Sequence, residues 1–186
     1  MADTDEHQIW VQQSRNGDHA AFAALIREYQ PMIHSLTFRM TGSSADCQDL
    51  AQETFIRAYR QIDSYNGTSK FSSWLYRIAV NACLDWQRSE SRRARLHTEW
   101  SEASAAGQNS AGAGNDLDDL SREVQSALMK LPEKQRAAIV LTVYGEHNHA
   151  ETAKILGCSE TTVSWRIFSA RRKLKKLLSK KGDSHE

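Results

Sequence analysis

The amino-acid sequence predicts an all-α protein made of two small helical domains joined by a flexible linker. Three observations support this fold class. Apolar residues recur at intervals of three and four along most of the chain, which is the period of an amphipathic helix. No segment shows the alternation of apolar and polar residues that is typical of a strand. An acidic stretch rich in Ser, Ala and Gly, residues 97–118, lies between the two helical parts.

Two helices are predicted first. One begins near residue 5 and ends at Asn16-Gly17, where two turn formers follow each other. Asp18 can cap the next helix, since its carboxylate can accept from free backbone N–H groups of the first turn. Pro31 lies inside this second helix and is expected to bend it just before the ring, because proline removes one backbone donor. Gly42 is expected to end it.

A third and a fourth helix complete the N-terminal part. The third is predicted to start within residues 43–46 and to carry an apolar side and a polar side. A loop rich in turn formers follows at residues 63–70. The fourth helix is predicted from about Ser72 to Ala94, and its apolar stripe includes Trp74 and Trp86. We therefore expect both tryptophans to lie in the core.

Residues 97–118 are predicted to be a tether, because they lack the apolar area needed to fold alone. Their r.m.s. span would be roughly 25 Å and their stretched limit roughly 70 Å. Charge is divided unevenly around this segment. Residues 1–96 hold 11 basic and 11 acidic residues, whereas residues 121–186 hold 13 basic and seven acidic ones, a net charge of +6. A basic C-terminal module suits a nucleic-acid partner.

The C-terminal part is predicted to open near residues 118–119, with a first helix stopped by Pro132 and a second from Glu133 to Tyr144. A helix-turn-helix then follows. Asn148 can cap its first helix, and Gly157 stands where a tight turn needs a positive φ. Ser159 can cap the last helix, whose apolar stripe is Val163, Ile167, Ala170, Leu174 and Leu177.

The other face of that last helix is suited to DNA. Eight Lys or Arg and no Asp or Glu occur between Arg166 and Lys181, and such a block can neutralise phosphates. The alternative is an ordinary surface helix with a solvated basic end. Polar and aromatic residues near the helix start can face base edges, sugars or thymine methyls. They are Thr161, Thr162, Ser164, Trp165 and Phe168.

Several classes of site and compartment are not expected. Cys47, Cys83 and Cys158 are far apart without a CxxC motif, so neither a disulfide framework nor a zinc site is indicated, and the three thiols suit a reducing cytoplasm. His147 and His149 do not share a helix face and have no third ligand near in sequence, so no metal site is predicted. The acidic N-terminus and the absence of a long apolar run predict neither a signal peptide nor membrane insertion.

Three motifs resemble those of bacterial sigma-70-type initiation factors. Residues 49–59, Asp-Leu-Ala-Gln-Glu-Thr-Phe-Ile-Arg-Ala-Tyr, look like the region 2.2 signature. Residues 71–81, Phe-Ser-Ser-Trp-Leu-Tyr-Arg-Ile-Ala-Val-Asn, are similar to regions 2.3–2.4. Residues 131–136, Leu-Pro-Glu-Lys-Gln-Arg, and the helix-turn-helix look like region 4. Their order and spacing fit the extracytoplasmic-function (ECF, group 4) class, which has only domains 2 and 4.

The resemblance implies domain 2 at residues 1–96, a linker at 97–118 and domain 4 at 119–182. It also implies a partner, core RNA polymerase, contacted at its β′ clamp and β flap. The residues implied to bind polymerase lie on the third helix. The alternative is that the carboxylate-rich face of this helix is an ordinary solvated face. They are Asp46, Asp49, Leu50, Gln52, Glu53, Phe55, Ile56 and Tyr59.

Promoter DNA is the second implied partner. Domain 2 would hold unstacked bases of the −10 element with Tyr65, Asn66, Lys70, Ser73, Tyr76, Arg77, Asn81 and Arg88. The alternative for Tyr65 is a loop aromatic folded onto its own domain. Domain 4 would read the −35 duplex with Ser159, Thr161, Thr162, Ser164, Trp165, Arg166, Phe168, Ser169, Arg171 and Arg172. Trp165 would either read DNA or pack against domain 2 in an inhibited state.

The family implies control by an anti-sigma factor, in a stress or envelope response, and no cofactor. One alternative is a stand-alone helix-turn-helix regulator whose N-terminal part senses a signal or dimerises. The polar and aromatic residues of segments 49–59 and 65–81 argue against it, since a sensor domain has no need of them. An enzyme is the third possibility, but no P-loop, GxSxG or HExxH motif occurs.

Overall fold

The structure is a computed structural model of the 186-residue chain, and it describes residues 5–100 and 116–182. The described part of the chain is helical apart from turns and short connections. The N-terminal half, residues 5–100, and the C-terminal half, residues 116–182, each contain four α-helices. They are α1 (Asp5–Arg15), α2 (His19–Thr41), α3 (Ser44–Arg60), α4 (Phe71–Trp100), α5 (Asp116–Met129), α6 (Glu133–Val143), α7 (His149–Leu156) and α8 (Glu160–Gly182).

The predicted ends of α2 are confirmed. Asp18 Oδ1 accepts from the backbone N–H groups of Ala20 and Ala21 at 2.8 and 3.2 Å, and so satisfies two donors of the first turn of α2. Gly42 ends α2 in the left-handed region with φ 73°. A side chain at this φ is strained, so glycine fits this position.

Two helices are longer than their sequence patterns predict. α4 continues six residues past Ala94, to Trp100, and α5 begins at Asp116, inside the predicted linker. Residues 101–115 of that linker lie outside the described residues. α2 runs unbroken past Pro31, from His19 to Thr41.

The core of the N-terminal half lies between α2, α3 and α4. Large side chains from each helix are fully buried there, among them Tyr29, Ile33 and Leu75. Trp74 is buried and Trp86 is half-buried against the same cluster, as the stripe on α4 predicts. Within the ranges that the structure covers, no helix combines the length and hydropathy required to cross a membrane.

The cysteines are small interior groups, as predicted. Cys47 and Cys83 are buried, Cys158 is half-buried, and all three are free thiols. Burial raises the pKa of Cys83 to about 12. Burial also raises the pKa of Cys47. The two buried cysteines are therefore protonated, unreactive thiols at neutral pH.

The two halves pack against each other, whereas the sequence predicts separate units on a tether. Helix α6 lies between them, and its seven consecutive residues 135–141 are buried. Ala137, Val140 and Leu141 join the core of the N-terminal half, while Ala138 and Ile139 join the core of the helix-turn-helix. A helix that is apolar all round has this kind of position.

Candidate functional site

The helix-turn-helix is fixed by local hydrogen bonds at its two helix starts. The backbone N–H of Glu151 donates to Asn148 Oδ1 at 2.9 Å, and the backbone N–H of Asn148 donates to Glu151 Oε2 at 3.0 Å. This reciprocal pair is a capping box. Gly157 turns the chain with φ 59°, and Ser159 Oγ accepts from the backbone N–H of Thr162 at 3.2 Å. These contacts set the angle at which α8 leaves α7.

The outer face of α8 exposes two large apolar side chains. Trp165 is 60% exposed and Phe168 is 65% exposed, whereas Val163 and Ile167 on the opposite face are buried. Exposed aromatic residues of this size on a recognition helix are suited to thymine methyls or to a partner protein. Trp165 does not pack against the N-terminal half in this structure. The predicted packing of Trp165 on domain 2 in an inhibited state is therefore not seen here.

The predicted −35 residues of α8 divide by their surroundings. Thr161, Ser164, Arg171 and Arg172 are exposed beside the two aromatic side chains. Four others have partners within the C-terminal half: the hydroxyl oxygens of Ser159 and Thr162 lie 2.9 Å apart, Arg166 Nη1 donates to Cys158 Sγ at 3.4 Å, and Gln135 Nε2 donates to Ser169 Oγ at 3.4 Å. The geometry thus favours the exposed residues as DNA contacts.

His149 is a surface residue that sequence reasoning missed. Its Nδ1 lies 3.0 Å from Ser164 Oγ, so the first turn of α7 contacts the outer face of α8. The sequence pattern indicates no role for His149, since the spacing of 15 residues to Ser164 gives no local signal of the contact. In contrast, His147 is turned away from this face and packs on Tyr76, with ring centroids 4.7 Å apart.

A second candidate site is a polar cavity of about 490 Å³ between the 65–69 loop and α3 and α4, here called the loop pocket. Four of its lining residues are predicted −10 contacts: Tyr65, Asn66, Arg77 and Asn81. The other lining residues come from three separate segments, and their contribution could not be predicted from the local sequence. They are Arg57, Gln61, Ser64, Thr68, Ser69, Trp74, Ile78 and Asp85.

The rim of the loop pocket is ordered by hydrogen bonds. The Tyr65 hydroxyl donates to the Ser69 carbonyl at 2.7 Å, and the Tyr65 ring is buried. Asn66 Oδ1 accepts from the Thr68 backbone N–H at 3.1 Å and from the Thr68 hydroxyl at 2.7 Å. Tyr65 is therefore folded onto its own domain, and its side chain forms part of the pocket wall.

Ionic contacts hold the floor of the loop pocket. Arg57 Nε donates to Glu53 Oε1 at 2.7 Å, and Arg57 Nη1 lies 3.5 Å from Asp85 Oδ2. The hydrogen bond to Glu53, together with these two carboxylates, raises the pKa of Arg57. Asp85 also accepts from Arg88 at 3.2 Å. Arg77 is exposed and pairs with no carboxylate among the described residues, so it can offer its charge to a ligand.

Four predicted −10 residues do not line the loop pocket. Lys70 and Arg88 are exposed outside it, and Ser73 is half-buried. Tyr76 is 6% exposed, and burial, aided by the Glu146 carboxylate, raises its pKa to about 12. An aromatic buried in this way cannot stack on a base, so the expectation of an accessible Tyr76 does not hold in this arrangement.

A third candidate site is an apolar groove between α2 and α3, here called the docking groove, with a volume of about 780 Å³. Gln52, Phe55, Ile56 and Tyr59 of the predicted polymerase surface line it. The α2 side chains that form its other wall were not predicted, because only tertiary packing brings them there. They are Phe22, Ile26, Gln30 and His34.

The remaining predicted polymerase residues lie around this groove. Asp49 is exposed, Asp46 is half-buried in the first turn of α3, and Glu53 is held by Arg57. Leu50 is buried in the core, so it supports α3 and does not offer a contact surface in this arrangement. Phe55 is also largely buried, and only its edge reaches the groove.

The free energy of unfolding is expected to fall as the pH is lowered, because His147 is buried. Burial lowers its pKa from the usual 6.5, Lys70 adds to this, and Glu151 opposes it. Below about pH 6.5 the unfolded chain binds a proton that the folded chain resists, so stability present above that pH is lost as pH falls. Urea unfolding at pH 7.5 and 5.5 should show this loss reduced in His147→Phe, which keeps a ring against Tyr76. An equal loss in both proteins would exclude His147 as its source.

Comparisons with known proteins identify the family of this chain. The Sigma-70 region 2 family matches residues 25–93, and the Sigma-70, region 4 family matches residues 121–174. The ECF RNA polymerase sigma factor SigW of Bacillus subtilis is 37% identical over 177 residues, which cover 90% of this chain and 94% of that protein. The ECF RNA polymerase sigma-E factor of Escherichia coli (strain K12) is 35% identical over 180 residues, 92% of this chain and 93% of that protein.

Solved structures share the fold of this chain. The sigma factor RpoE in complex with the anti-sigma factor NepR from Bartonella quintana gives a TM-score of 0.69 at 25% identity, covering 85% of this chain and 96% of that one. CnrH in complex with the cytosolic domain of CnrY gives 0.70 at 26% identity, covering 98% and 100%. The chain therefore belongs to the sigma-70 family of RNA polymerase sigma factors, and within it to the extracytoplasmic-function class.

Proposed function

We propose that this sigma factor binds core RNA polymerase through the docking groove and the polar face of α3, places α8 on the −35 duplex, and holds an unstacked base of the −10 element in the loop pocket. The observation that carries this assignment is the loop pocket itself. It brings an amide and an unpaired cation together, from Asn81 and Arg77, beside a wall formed by the buried Tyr65 side chain. These are the groups that hold single-stranded bases outside the stack.

The docking groove suits a protein partner better than a nucleic acid. Its walls are largely apolar, with Phe22, Ile26, Phe55, Ile56 and Tyr59 contributing rings or aliphatic groups. An apolar helix-lined groove is a usual seat for an amphipathic partner helix. Beside it, exposed Asp49 offers a carboxylate to a basic group of that partner. This combination fits the coiled coil of the polymerase β′ clamp.

The exposed face of α8 suits duplex DNA. Cations continue C-terminal to Trp165 and Phe168 along one helix, and the described residues of α8 after Glu160 include no acidic side chain. Arg171 and Arg172 are assigned to phosphates, which position the helix without specifying a sequence. Thr161, Ser164, Trp165 and Phe168 are assigned to bases and sugars.

Further assignments rest on the family. The chain would act in the cytoplasm, where polymerase is found, as an initiation factor with no catalysis of its own. A sigma factor of similar fold was solved in complex with the anti-sigma factor NepR, and CnrH, also of similar fold, was solved in complex with the cytosolic domain of CnrY. An anti-sigma partner, in a stress or envelope response, is proposed for this chain on that basis.

Removing the cation of the loop pocket tests the −10 assignment. Arg77→Ala should slow promoter opening about tenfold or more, because a cation close to an unstacked strand contributes about 1–3 kcal/mol. Permanganate reactivity of thymines in the reconstituted holoenzyme–promoter complex measures opening. Arg92→Ala is the matched control, since Arg92 is exposed on the same helix outside the pocket. If both variants open the promoter equally well, the loop pocket is not part of the −10 binding site.

A further inference from the structure

A histidine of α7 is hydrogen-bonded to a serine on the exposed face of α8. His149 is the first residue of α7, and Ser164 lies in the second turn of α8. The His149 Nδ1 and Ser164 Oγ atoms are 3.0 Å apart, and both side chains are exposed to solvent. The Ser164 hydroxyl, which is assigned to the reading of bases, is therefore held by a side chain of the neighbouring helix.

The backbone positions of this pair are fixed by the surrounding fold. The capping box at the start of α7 flanks His149. Ala153 of α7 belongs to the same apolar core as Val163 of α8, and Val163 directly precedes Ser164. The hydrogen bond thus joins two positions that packing already holds in place. It can restrict the rotation of the Ser164 hydroxyl when α8 enters the groove.

Ser164 lies in the middle of the surface assigned to bases. Thr161 lies one turn before it on α8, Phe168 lies one turn after it, and both are exposed. A hydroxyl that rotates without restraint can either donate or accept a hydrogen bond. In the major groove, adenine and cytosine offer an amino group, whereas guanine and thymine offer a carbonyl oxygen. An unrestrained serine would therefore accept any of the four bases.

His149 removes this ambiguity. A neutral imidazole carries a proton on one nitrogen and a lone pair on the other. The Nε2 atom of His149 has no hydrogen-bond partner among the described residues, so it can donate to a DNA phosphate, whose oxygens only accept. A proton on Nε2 leaves the lone pair at Nδ1. Ser164 then donates its single proton to His149, and its oxygen presents only lone pairs to the DNA.

We propose that His149 is a positioning residue for promoter reading, which holds the Ser164 hydroxyl as a hydrogen-bond acceptor toward the −35 duplex. Ser164 then selects a base that carries an amino group in the major groove, adenine or cytosine on the strand it faces. This inference rests on the proposed −35 role of α8. It assigns base selection to a pair of residues on two helices, and not to α8 alone.

Three variants of the full-length chain test this pair. His149→Leu removes the acceptor nitrogen but keeps an apolar group of similar reach. His149→Asp places a carboxylate, which only accepts hydrogen bonds, near the position of Nδ1. Ser164→Ala removes the hydroxyl itself. Lys154→Ala is the matched control, since Lys154 is also exposed on α7. Circular dichroism confirms that each variant remains folded.

Base preference is measured by incubating each protein with a pool of fully randomised duplexes at about pH 8, where imidazole is neutral. The bound fraction is isolated on a native gel and sequenced. Anisotropy with the unselected pool gives the affinity that does not depend on sequence. These two readouts separate the choice of base from the total strength of binding.

The wild type should favour adenine or cytosine at one position by about fivefold over guanine and thymine, as expected from one hydrogen bond. His149→Leu and Ser164→Ala should lose this preference at the same position, and the double variant should lose no more than either one. His149→Asp should retain the preference, although its negative charge lowers the affinity for every sequence. Lys154→Ala should keep the wild-type preference.

The proposal is overturned if His149→Leu keeps the wild-type preference, because His149 then does not position Ser164. A Ser164-dependent preference for guanine or thymine would also overturn it, since the hydroxyl would then donate to the DNA. The same holds if Ser164→Ala keeps the preference or if His149→Asp loses it. Failure of the −35 assignment is distinct: the wild type would then select no sequence from the pool at any position.

Discussion

Asp49→Lys is expected to weaken binding to core RNA polymerase about 100-fold. Asp49 is exposed on α3, one and two turns before Gln52 and Ile56 of the docking groove, so all three lie on one helix face. If a basic group of the polymerase meets this carboxylate, reversal of its charge replaces attraction by repulsion, which costs several kcal/mol at an interface. Asp49 has no ion pair among the described residues, so its replacement should change the stability of the chain little.

Binding is best measured by anisotropy of the labelled chain titrated with core polymerase. Asp63→Lys is the matched control, because Asp63 is exposed in the same half and does not line the docking groove. The affinity of both variants for random-sequence duplex DNA should equal that of the wild type. If Asp49→Lys binds polymerase as tightly as Asp63→Lys does, α3 is not the polymerase face.

Arg172→Ala/Lys176→Ala is expected to reduce affinity for duplex DNA by roughly 50- to 100-fold at ~0.1 M salt and to flatten the slope of log K against log salt by about 1.8. Both residues are exposed, and they lie four and eight positions after Phe168, on the outer face of α8. Each would neutralise one phosphate and release its counterion. Alanine is a strong helix former, so α8 should remain intact.

The measurement is a salt titration of a random-sequence duplex with the full-length chain. Lys130→Ala/Lys134→Ala removes the same charge from the same half at exposed positions outside α8. This control should keep nearly the full slope. Equal losses in both variants would mean that net charge, and not the face of α8, determines DNA affinity.

Local sequence signals predicted the helix ends and the helix-turn-helix well. Asp18, Ser159 and the Asn148–Glu151 capping box depend only on residues within four positions, and Gly157 depends on its own φ. Such short-range preferences can be read along a chain without its tertiary structure. The same holds for the apolar stripe on α8, whose first members Val163 and Ile167 are buried as expected.

The sites that combine distant segments were predicted only in part. The loop pocket joins Arg57 and Asp85 to the 65–69 loop, and the docking groove joins Phe22 and His34 to α3. No spacing rule connects positions so far apart, so only four lining residues of each site could be named, out of twelve in the loop pocket and eleven in the docking groove. The family resemblance supplied those four, and tertiary packing supplies the others.

The sequence analysis does not predict the contact between the two halves, although one sequence feature indicates it. The run Ala137-Ala138-Ile139-Val140-Leu141 is apolar on every side of α6, and such a helix must be covered on more than one face. A single amphipathic stripe would have sufficed for an isolated domain 4. Arg136 gave no comparable signal, because a buried arginine and a solvated one look alike in a sequence.

Run-off transcription with purified core RNA polymerase and a library of genomic promoter fragments tests the central claim most directly. We expect transcripts that start at a defined set of promoters only when the chain is added, and we expect the chain to co-elute with the core enzyme. No complex with the core enzyme, together with an unchanged set of start sites, would contradict the assignment of this chain as an initiation factor.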